Sequence, residues 1–265
     1  MFENLLPKIV AIAIKAGDAI MEIYADPENV VTAKEDNSPL TQADLASDRV
    51  IAAGLAGLSL GWPVLSEESA QISYAERCDW QCFWLVDPLD GTREFVKRNG
   101  EFTVNIALIE NGVPVLGVVY APVLDVCYFA ARGVGAFVRR GSEKAQAISV
   151  KTHRPGEPLL VVASRSHSDA RTEELLKKLG DYQCISMGSS LKFCLVAEGA
   201  AHLYPRLGPT MEWDTAAAHA VVTQSGGRVC DRSGNELVYN KPDLHNPEFF
   251  VLSVSDKELF KKIIL

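Results

Sequence analysis

The chain has 265 residues, of which 48% are hydrophobic and 23% are charged, a balance typical of a globular protein. Its net charge of −8 argues against non-specific binding to nucleic acid, which needs a basic surface; a small phosphorylated substrate stays open, because bound divalent cations reverse the local charge. No run reaches the roughly 18 apolar residues of a membrane-spanning helix. The six cysteines contain no C-x-x-C pair and indicate thiols in a reducing cytoplasm.

The N-terminal elements are predicted to be helical. Apolar residues at helical spacing predict an α-helix over roughly residues 3 to 24. Turn residues at 36 to 39 precede a second helix, in which Asp44 occupies the third position, where a capping box places an acid. A short strand over residues 63 to 65 then leads into Glu67. The chain thus begins with two helices and enters a sheet near an acidic residue.

The most informative stretch follows a short apolar run, Phe83 to Val86, which predicts a buried strand. That strand is expected to end at Asp87, which precedes a proline. Asp90 comes three residues later as the expected N-cap of a helix that starts with Gly91 and Thr92. Carboxylates attract hard cations, and the N–H groups of a helix start attract phosphate. The stretch therefore predicts a site where metal ions and a phosphate meet.

Strand-like runs then alternate with tight turns. Residues 102–110 and 113–120 flank the strong turn signal Asn111-Gly112, and residues 126–130 and 136–139 form a further hairpin. Hairpins of this kind predict an antiparallel sheet, so the first half of the chain is expected to be α+β.

A polar segment with two prolines, residues 151–158, is the expected boundary between two halves. We predict a metal- and phosphate-binding half over residues 1–155 and an α/β half that recognises the ligand over residues 156–265. In the second half, strands alternate with helices, which predicts a parallel sheet with crossover helices. The expected strands are 159–163, 183–186 and 201–204, and the expected helices are 169–179, 191–199 and 215–224.

Four acidic residues are candidates for one shared site: Glu67, Asp87, Asp90 and Asp214. Each has an ordinary explanation, because an exposed turn accounts for Glu67 and a helix cap accounts for Asp90 or Asp214. Their combination is harder to explain, since three of them lie at the ends of apolar strands or of an apolar helix, where unpaired charge is costly and bound cations remove that cost. Oxygen ligands without a histidine or cysteine cluster favour Mg²⁺.

Two Mg²⁺ ions that share carboxylates can bind a phosphate ester, activate a water and stabilise the leaving oxygen. Asp44 and Thr92 are the candidates for positioning and deprotonating that water. The residues by themselves thus favour metal-assisted hydrolysis of a phosphate ester.

These motifs resemble those of the inositol monophosphatase superfamily, which are lithium-sensitive, magnesium-dependent phosphomonoesterases. The pattern extends in order over about two thirds of the chain. Its parts are Asp44, Glu67-Glu68, Asp87-Pro88-Leu89-Asp90-Gly91-Thr92, Trp213-Asp214 and Gly226-Gly227. The resemblance implies a layered αβαβα sandwich.

Within this superfamily, residues 97–108, 188–199 and 203–210 resemble the bacterial 3′(2′),5′-bisphosphate nucleotidase branch. The resemblance implies hydrolysis of adenosine 3′,5′-bisphosphate to AMP and phosphate, with the phosphosulfate precursor as a second substrate, in sulfate assimilation. Two alternatives remain: a phosphatase for inositol or sugar phosphates, and a non-catalytic protein that binds metal and nucleotide. Monomer and homodimer both remain open, as does peripheral attachment to the cytoplasmic face of the inner membrane.

The resemblance also implies roles for single residues. A first Mg²⁺ would be held by Glu67, Asp87 and the Leu89 carbonyl, a second by Asp87, Asp90 and Asp214, and a weaker third near Glu67. Thr92 and Asp44 would activate the water. The implied substrate-binding residues are Glu67, Leu89, Asp90, Gly91, Thr92, His167, Ser189, Lys192, Arg206 and Asp214.

Overall fold

The computed structural model describes residues 1–25, 32–33, 39–40, 42–69, 71–154, 156–163 and 170–253. Within them the helices are α1 (Phe2–Tyr24), α2 (Gln42–Ala56), α3 (Tyr74–Arg77), α4 (Thr92–Val96), α5 (Ala170–Lys178), α6 (Leu191–Ala197) and α7 (Glu212–Gln224), with a 3₁₀ turn at Glu67–Ser69. The strands are β1 (Thr32–Ala33), β2 (Pro39–Leu40), β3 (Val64–Ser66), β4 (Cys82–Asp90), β5 (Thr103–Glu110), β6 (Val113–Ala121), β7 (Val126–Ala131), β8 (Gly135–Arg140), β9 (Gln146–Ala147), β10 (Leu159–Ala163), β11 (Tyr182–Ser186), β12 (Leu203–Arg206), β13 (Arg228–Asp231) and β14 (Phe249–Leu252).

The first large sheet has the strand order β3-β4-β5-β6-β7-β8-β9. Strands β4 to β9 are antiparallel neighbours, as the hairpin signals predicted, and Asn111 and Gly112 turn with positive φ angles of 51° and 77°. Strand β3 pairs with β4 in parallel, so the sheet is mixed at this edge. The parallel pair β3–β4 is the part of the sheet that lies next to the acidic residues.

The second large sheet has the order β11-β10-β12-β14-β13. Strand β10 is parallel to β11 and β12, but β14 is antiparallel to both β12 and β13. The three predicted strands, β10, β11 and β12, are therefore parallel as expected, and the antiparallel pair β13 and β14 was not predicted. No helix connects β13 to β14: the chain returns through the irregular residues 232–248, and a return without a crossover helix gives an antiparallel neighbour.

Helices separate and cover the two sheets. Helices α1 and α2 pack on one face of the first sheet, in a core that includes Ile9, Ile51 and Ile106. Helices α6 and α7 lie between the two sheets and contribute Phe193 and Val221 to a second core. Helix α5 packs on the outer face of the second sheet. This layering confirms the αβαβα sandwich.

Among the described residues, no helix combines the length and apolar character needed to cross a bilayer. The long helix α1 instead buries one face against the first sheet, as its apolar spacing predicted.

Helix α7, in the layer between the two sheets, approaches the first sheet closely at Gly117 of β6. A Cβ atom on Gly117 would lie 2.1 Å from the carbonyl oxygen of Ala217 in α7. Helix α7 carries Asp214, so this glycine lets α7 approach the sheet that carries Asp87 and Asp90.

We expect Gly117→Ala to lower the free energy of unfolding by at least about 1–3 kcal/mol, because the backbone of α7 must move away from β6. Chemical denaturation measures the change. Gly57→Ala is the matched control, since a Cβ there would meet its nearest described neighbour at an ordinary 3.4 Å. Equal stability of the two variants would contradict the close packing of α7 on β6.

Candidate metal and phosphate site

Strands β3 and β4 bring Glu67 beside Asp87. Their parallel register sets Ser66 opposite Val86, so Glu67 leaves β3 next to Asp87 in β4. The side chain of Asp87 is buried, and its Oδ1 accepts a hydrogen bond of 3.1 Å from the N–H of Leu89. The fold thus buries the Asp87 carboxylate, although acidic side chains are usually exposed, and it brings Glu67 alongside.

Strand β4 does not stop at Asp87. It continues to Asp90 with an irregular register between the two aspartates, and Asp90 pairs with Thr103 of β5. The N-cap of α4 is therefore Gly91, with φ of 93°, and the prediction of Asp90 as N-cap was wrong. A glycine adopts this left-handed conformation without strain, so the chain turns at Gly91 and the Asp90 carboxylate stays free to face other partners.

Asp214 lies in the first turn of α7, whereas the sequence predicted that it would precede that helix. Helix α7 starts at Glu212, and Oδ2 of Asp214 accepts a 2.9 Å hydrogen bond from the N–H of Met211. The fully buried carboxylate of Glu212 holds this end of the helix by accepting hydrogen bonds from the N–H groups of Asn240 at 2.6 Å and Lys241 at 3.0 Å. Sequence reasoning missed Glu212, although it immediately precedes the Trp-Asp motif.

One oxygen each from Asp87, Asp90 and Asp214 lies within 4.8 Å of the others. Burial, together with the charges of Glu67, Asp90, Asp214 and Asp44, raises the pKa of Asp87 well above its usual range. Burial and then the Asp90 charge raise the pKa of Asp214 to about 8. A hard divalent cation between these oxygens would remove the repulsion that raises both pKa values, so the cluster fits a metal ion.

Glu67 and Leu89, the other predicted metal ligands, lie at the edge of this cluster. The charge of Glu67 contributes to the raised pKa of both Asp87 and Asp214, which places it near the three aspartates. Leu89 is buried in β4, with its N–H directed to Asp87. Their direct bonds to a cation remain predictions.

The two predicted catalytic residues come from neighbouring elements. Asp44 is buried in the first turn of α2, and its charge contributes to the raised pKa of Asp87. The Ser47 hydroxyl, one turn further along α2, donates a 2.7 Å hydrogen bond to the Pro88 carbonyl and so ties α2 to β4. Thr92 is the first residue of α4, directly after the strand. Their roles in activating water remain predictions.

A pocket beside the acids is lined by residues from both halves of the chain, among them Gly91, Lys192, Arg206 and Asp214. Lys192 is buried; its Nζ donates a 2.6 Å hydrogen bond to the Ser189 carbonyl and lies 5.5 Å from the centre of the Tyr204 ring. Burial lowers the pKa of Lys192 to about 8, although the Asp90 charge opposes this. The pocket therefore has an acidic side and a cationic side.

Arg206 and Ser189 also line this pocket. The guanidinium of Arg206 donates a 2.9 Å hydrogen bond to the Pro209 carbonyl. The hydroxyl of Ser189 contacts the carboxylate of Asp90. His167, the remaining residue predicted for the ligand, lies outside the described residues. Substrate contacts by all three remain predictions.

Sequence reasoning missed four further polar residues near the acids. Glu94 and Glu101 line the pocket, and burial raises the pKa of Glu94. Thr103 and Asn105 are buried in β5 beside β4. Polar residues two apart in an apolar strand point to the same face, and this alternation could have identified the β5 pair.

A cluster of buried and half-buried carboxylates on one side of a pocket and cationic groups on its other side are typical of a protein that binds a phosphorylated ligand with the help of metal ions. The chain belongs to the inositol monophosphatase family, whose profile matches residues 2–264.

Curated relatives are similar over nearly the whole chain. The 3′(2′),5′-bisphosphate nucleotidase CysQ of Escherichia coli is 52% identical over 250 residues, covering 93% of this chain and 99% of the relative. The protein of the same name from Salmonella typhimurium is 52% identical over 249 residues, with the same coverage. The crystal structure of CysQ from Bacteroides thetaiotaomicron is 44% identical and superposes with a TM-score of 0.85, covering 96% of this chain and 98% of that one.

The acidic cluster predicts a specific pH dependence of stability. An acid whose pKa is raised by folding retains in the native state a proton that it loses in the unfolded chain, so stability falls as pH rises from about 4 to about 8. Asp214→Asn removes this charge and keeps an oxygen for the Met211 N–H. Without divalent cations at about pH 8, we expect its Tm to exceed that of the unmodified protein by at least about 2–4 °C.

Thermal unfolding with and without MgCl₂ measures this effect. Added MgCl₂ should raise the Tm of the unmodified protein more than that of Asp214→Asn, because the variant retains the ligands implied for the first ion and loses one ligand of the second. Asp79→Asn, at an exposed position, is the matched control and should behave as the unmodified protein. If Asp214→Asn gave no higher Tm than this control without cations, the cluster would not be destabilising.

Proposed function

We propose that this protein is a cytoplasmic, Mg²⁺-dependent phosphomonoesterase that hydrolyses adenosine 3′,5′-bisphosphate to AMP and phosphate, in support of sulfate assimilation. The phosphosulfate precursor is a second substrate. The observation that carries the proposal is a pocket that joins the acidic cluster to the buried ammonium of Lys192. The names of the relatives that are 52% identical support the same substrate.

In this proposal Asp87, Asp90 and Asp214, with Glu67 and the Leu89 carbonyl, hold two or three Mg²⁺ ions. When bound, these ions supply charge to the phosphate oxygens and lower the pKa of a coordinated water. Backbone N–H groups orient the carboxylates of Asp87 and Asp214 through hydrogen bonds. The ion-binding groups are therefore in position before the substrate binds.

The reacting phosphate lies against the turn at Gly91. The N–H groups of Gly91 and Thr92 donate hydrogen bonds to its oxygens. The Thr92 hydroxyl orients the attacking water. The water passes its proton to the Thr92 hydroxyl, which passes its own proton to Asp44. Asp44 is buried in the first turn of α2, close enough for its charge to act on Asp87.

The second phosphate lies on the cationic side of the pocket. Lys192 and Arg206 provide two positive charges at this side, and a phosphate attracts both through charge-assisted hydrogen bonds. His167 and Ser189 complete the nucleotide contacts in this proposal. An inositol or sugar monophosphate has no second phosphate and leaves Lys192 and Arg206 without a ligand.

A substrate panel tests the proposed reaction. Phosphate release is measured from adenosine 3′,5′-bisphosphate and from inositol 1-phosphate, each with MgCl₂ and with the cation chelated. We expect faster release from the bisphosphate, none without Mg²⁺, and inhibition by LiCl. The Asp90→Asn variant should fold and release no phosphate. Faster release from inositol 1-phosphate favours the inositol-phosphate alternative, and no release from any ester favours a binding protein.

The position of Lys192 predicts that the rate of hydrolysis depends on the second phosphate of the substrate. Losing one charged hydrogen bond, worth about 1.5–3 kcal/mol, should reduce kcat/KM of Lys192→Met for adenosine 3′,5′-bisphosphate about 10- to 100-fold. Adenosine 3′-monophosphate, which lacks the second phosphate, is the control substrate and should be hydrolysed by both proteins at similar kcat/KM. An equal loss with both substrates would place Lys192 at the reacting phosphate instead.

A further inference from the structure

The carboxylate of Asp90 is held by residues of the second half of the chain. Its Oδ2 accepts a 2.7 Å hydrogen bond from the N–H of Ser190 and a hydrogen bond from the hydroxyl of Ser189. A carboxylate with one oxygen occupied in this way directs its second oxygen elsewhere, and Asp87 and Asp214 lie close by. The orientation of Asp90 in the acidic cluster is thus set by the segment that precedes α6.

The Ser189 hydroxyl is in turn contacted by Thr103. The Thr103 Oγ1 lies 2.6 Å from Oγ of Ser189 and 2.8 Å from Oγ of Ser190. The Ser190 hydroxyl also donates to Oδ1 of Asn105 at 2.8 Å. Thr103, Asn105 and Ser190 are at most 2% exposed, so water does not compete for these hydrogen bonds.

Each hydroxyl has one proton to donate, and this determines which group is the donor in each of these hydrogen bonds. The Ser189 hydroxyl donates to the carboxylate of Asp90 and lies 3.1 Å from the Asp90 carbonyl oxygen, which is also an acceptor, so its single proton points to Asp90. Ser189 then has no proton left for Thr103, so Thr103 is the donor in the 2.6 Å contact between them, which is shorter than its other contact as a donor, 3.2 Å to Oδ1 of Asn105. Thr103 is therefore the donor that orients the Ser189 hydroxyl towards the carboxylate. A valine at this position keeps the shape of the side chain and cannot donate.

The backbone at Ser189 needs this support. Ser189 has a φ of 52°, in the left-handed region that favours glycine. Thr103 lies directly opposite Asp90 in the pairing of β5 with β4, so one register position carries both the acid and the residue that fixes its partner. Two side-chain contacts from the first sheet thus hold a strained residue of the second half against Asp90.

We propose that Thr103 is a positioning residue that sets the affinity of the site for its divalent cation, by orienting the Ser189 hydroxyl on Asp90. This rests on the proposed role of Asp90 as a cation ligand. Outer partners of metal ligands typically change metal affinity about 10- to 100-fold when they are removed.

Isothermal titration calorimetry with MgCl₂, on the metal-free full chain without substrate, tests the proposal. We expect Thr103→Val to bind Mg²⁺ about 10- to 100-fold more weakly than the unmodified protein. Thr103→Ser, which keeps the hydroxyl, is the matched control and should bind as the unmodified protein does. Thermal unfolding of each variant is measured in parallel. A Thr103→Val variant with lower Tm and unchanged Mg²⁺ affinity would overturn the proposal, because the hydroxyl would then serve stability alone.

A second variant keeps the test decisive if valine is not tolerated in the buried site. Ser189→Gly suits the left-handed backbone and removes the hydroxyl, so the fold should persist while Mg²⁺ affinity falls. Affinity unchanged in this variant would also overturn the proposal. A failure of the proposed metal site itself would give a different result. In that case the unmodified protein would bind no Mg²⁺, or Asp90→Asn would bind Mg²⁺ as tightly as the unmodified protein does.

Discussion

Repulsion among clustered carboxylates at the end of β4 is the constraint on which the rest of the site depends. Asp87, Asp90 and Asp214 come within 4.8 Å of one another at a place where burial already disfavours charge. A protein tolerates such a cluster only if other interactions hold it together and a ligand of opposite charge can enter. The parallel pair β3–β4, the buried N-terminus of α7 and the segment before α6 supply those interactions.

The site forms where the two halves of the chain meet. The first sheet contributes Asp87 and Asp90, and the layer between the sheets contributes Asp214 and Lys192. Gly117 lets α7 approach the first sheet, and the Ser190 N–H joins α6 to Asp90. The acidic and cationic sides of the pocket are therefore fixed relative to each other by the same packing that holds the sandwich together. That arrangement is suited to a ligand with two separated phosphates.

Much of the secondary structure could be predicted from the chain alone, because helix α1 and the hairpins of the first sheet rest on local periodicity and turn chemistry. The errors occur where distant pairing overrides local signals. Strand β4 continues past a proline to Asp90, because Asp90 pairs there with Thr103 of β5. Helix α7 starts two residues before Asp214, because distant N–H groups hold Glu212. Strands β13 and β14, which form the antiparallel side of the second sheet, were not predicted.

The sequence by itself determined the chemistry: acids at the ends of apolar elements, a glycine at a phosphate turn and a motif order that resembles one superfamily. These features are local, because residue type and spacing specify them. Only the tertiary structure decided which acids share a site, what orients each one and where Lys192 points. The distances that join Asp90 to Ser190 and to Asp214 depend on the packing of separate layers, and no local pattern encodes them. The contact of Thr103 with Ser189, 86 positions apart in the chain, belongs to the same category.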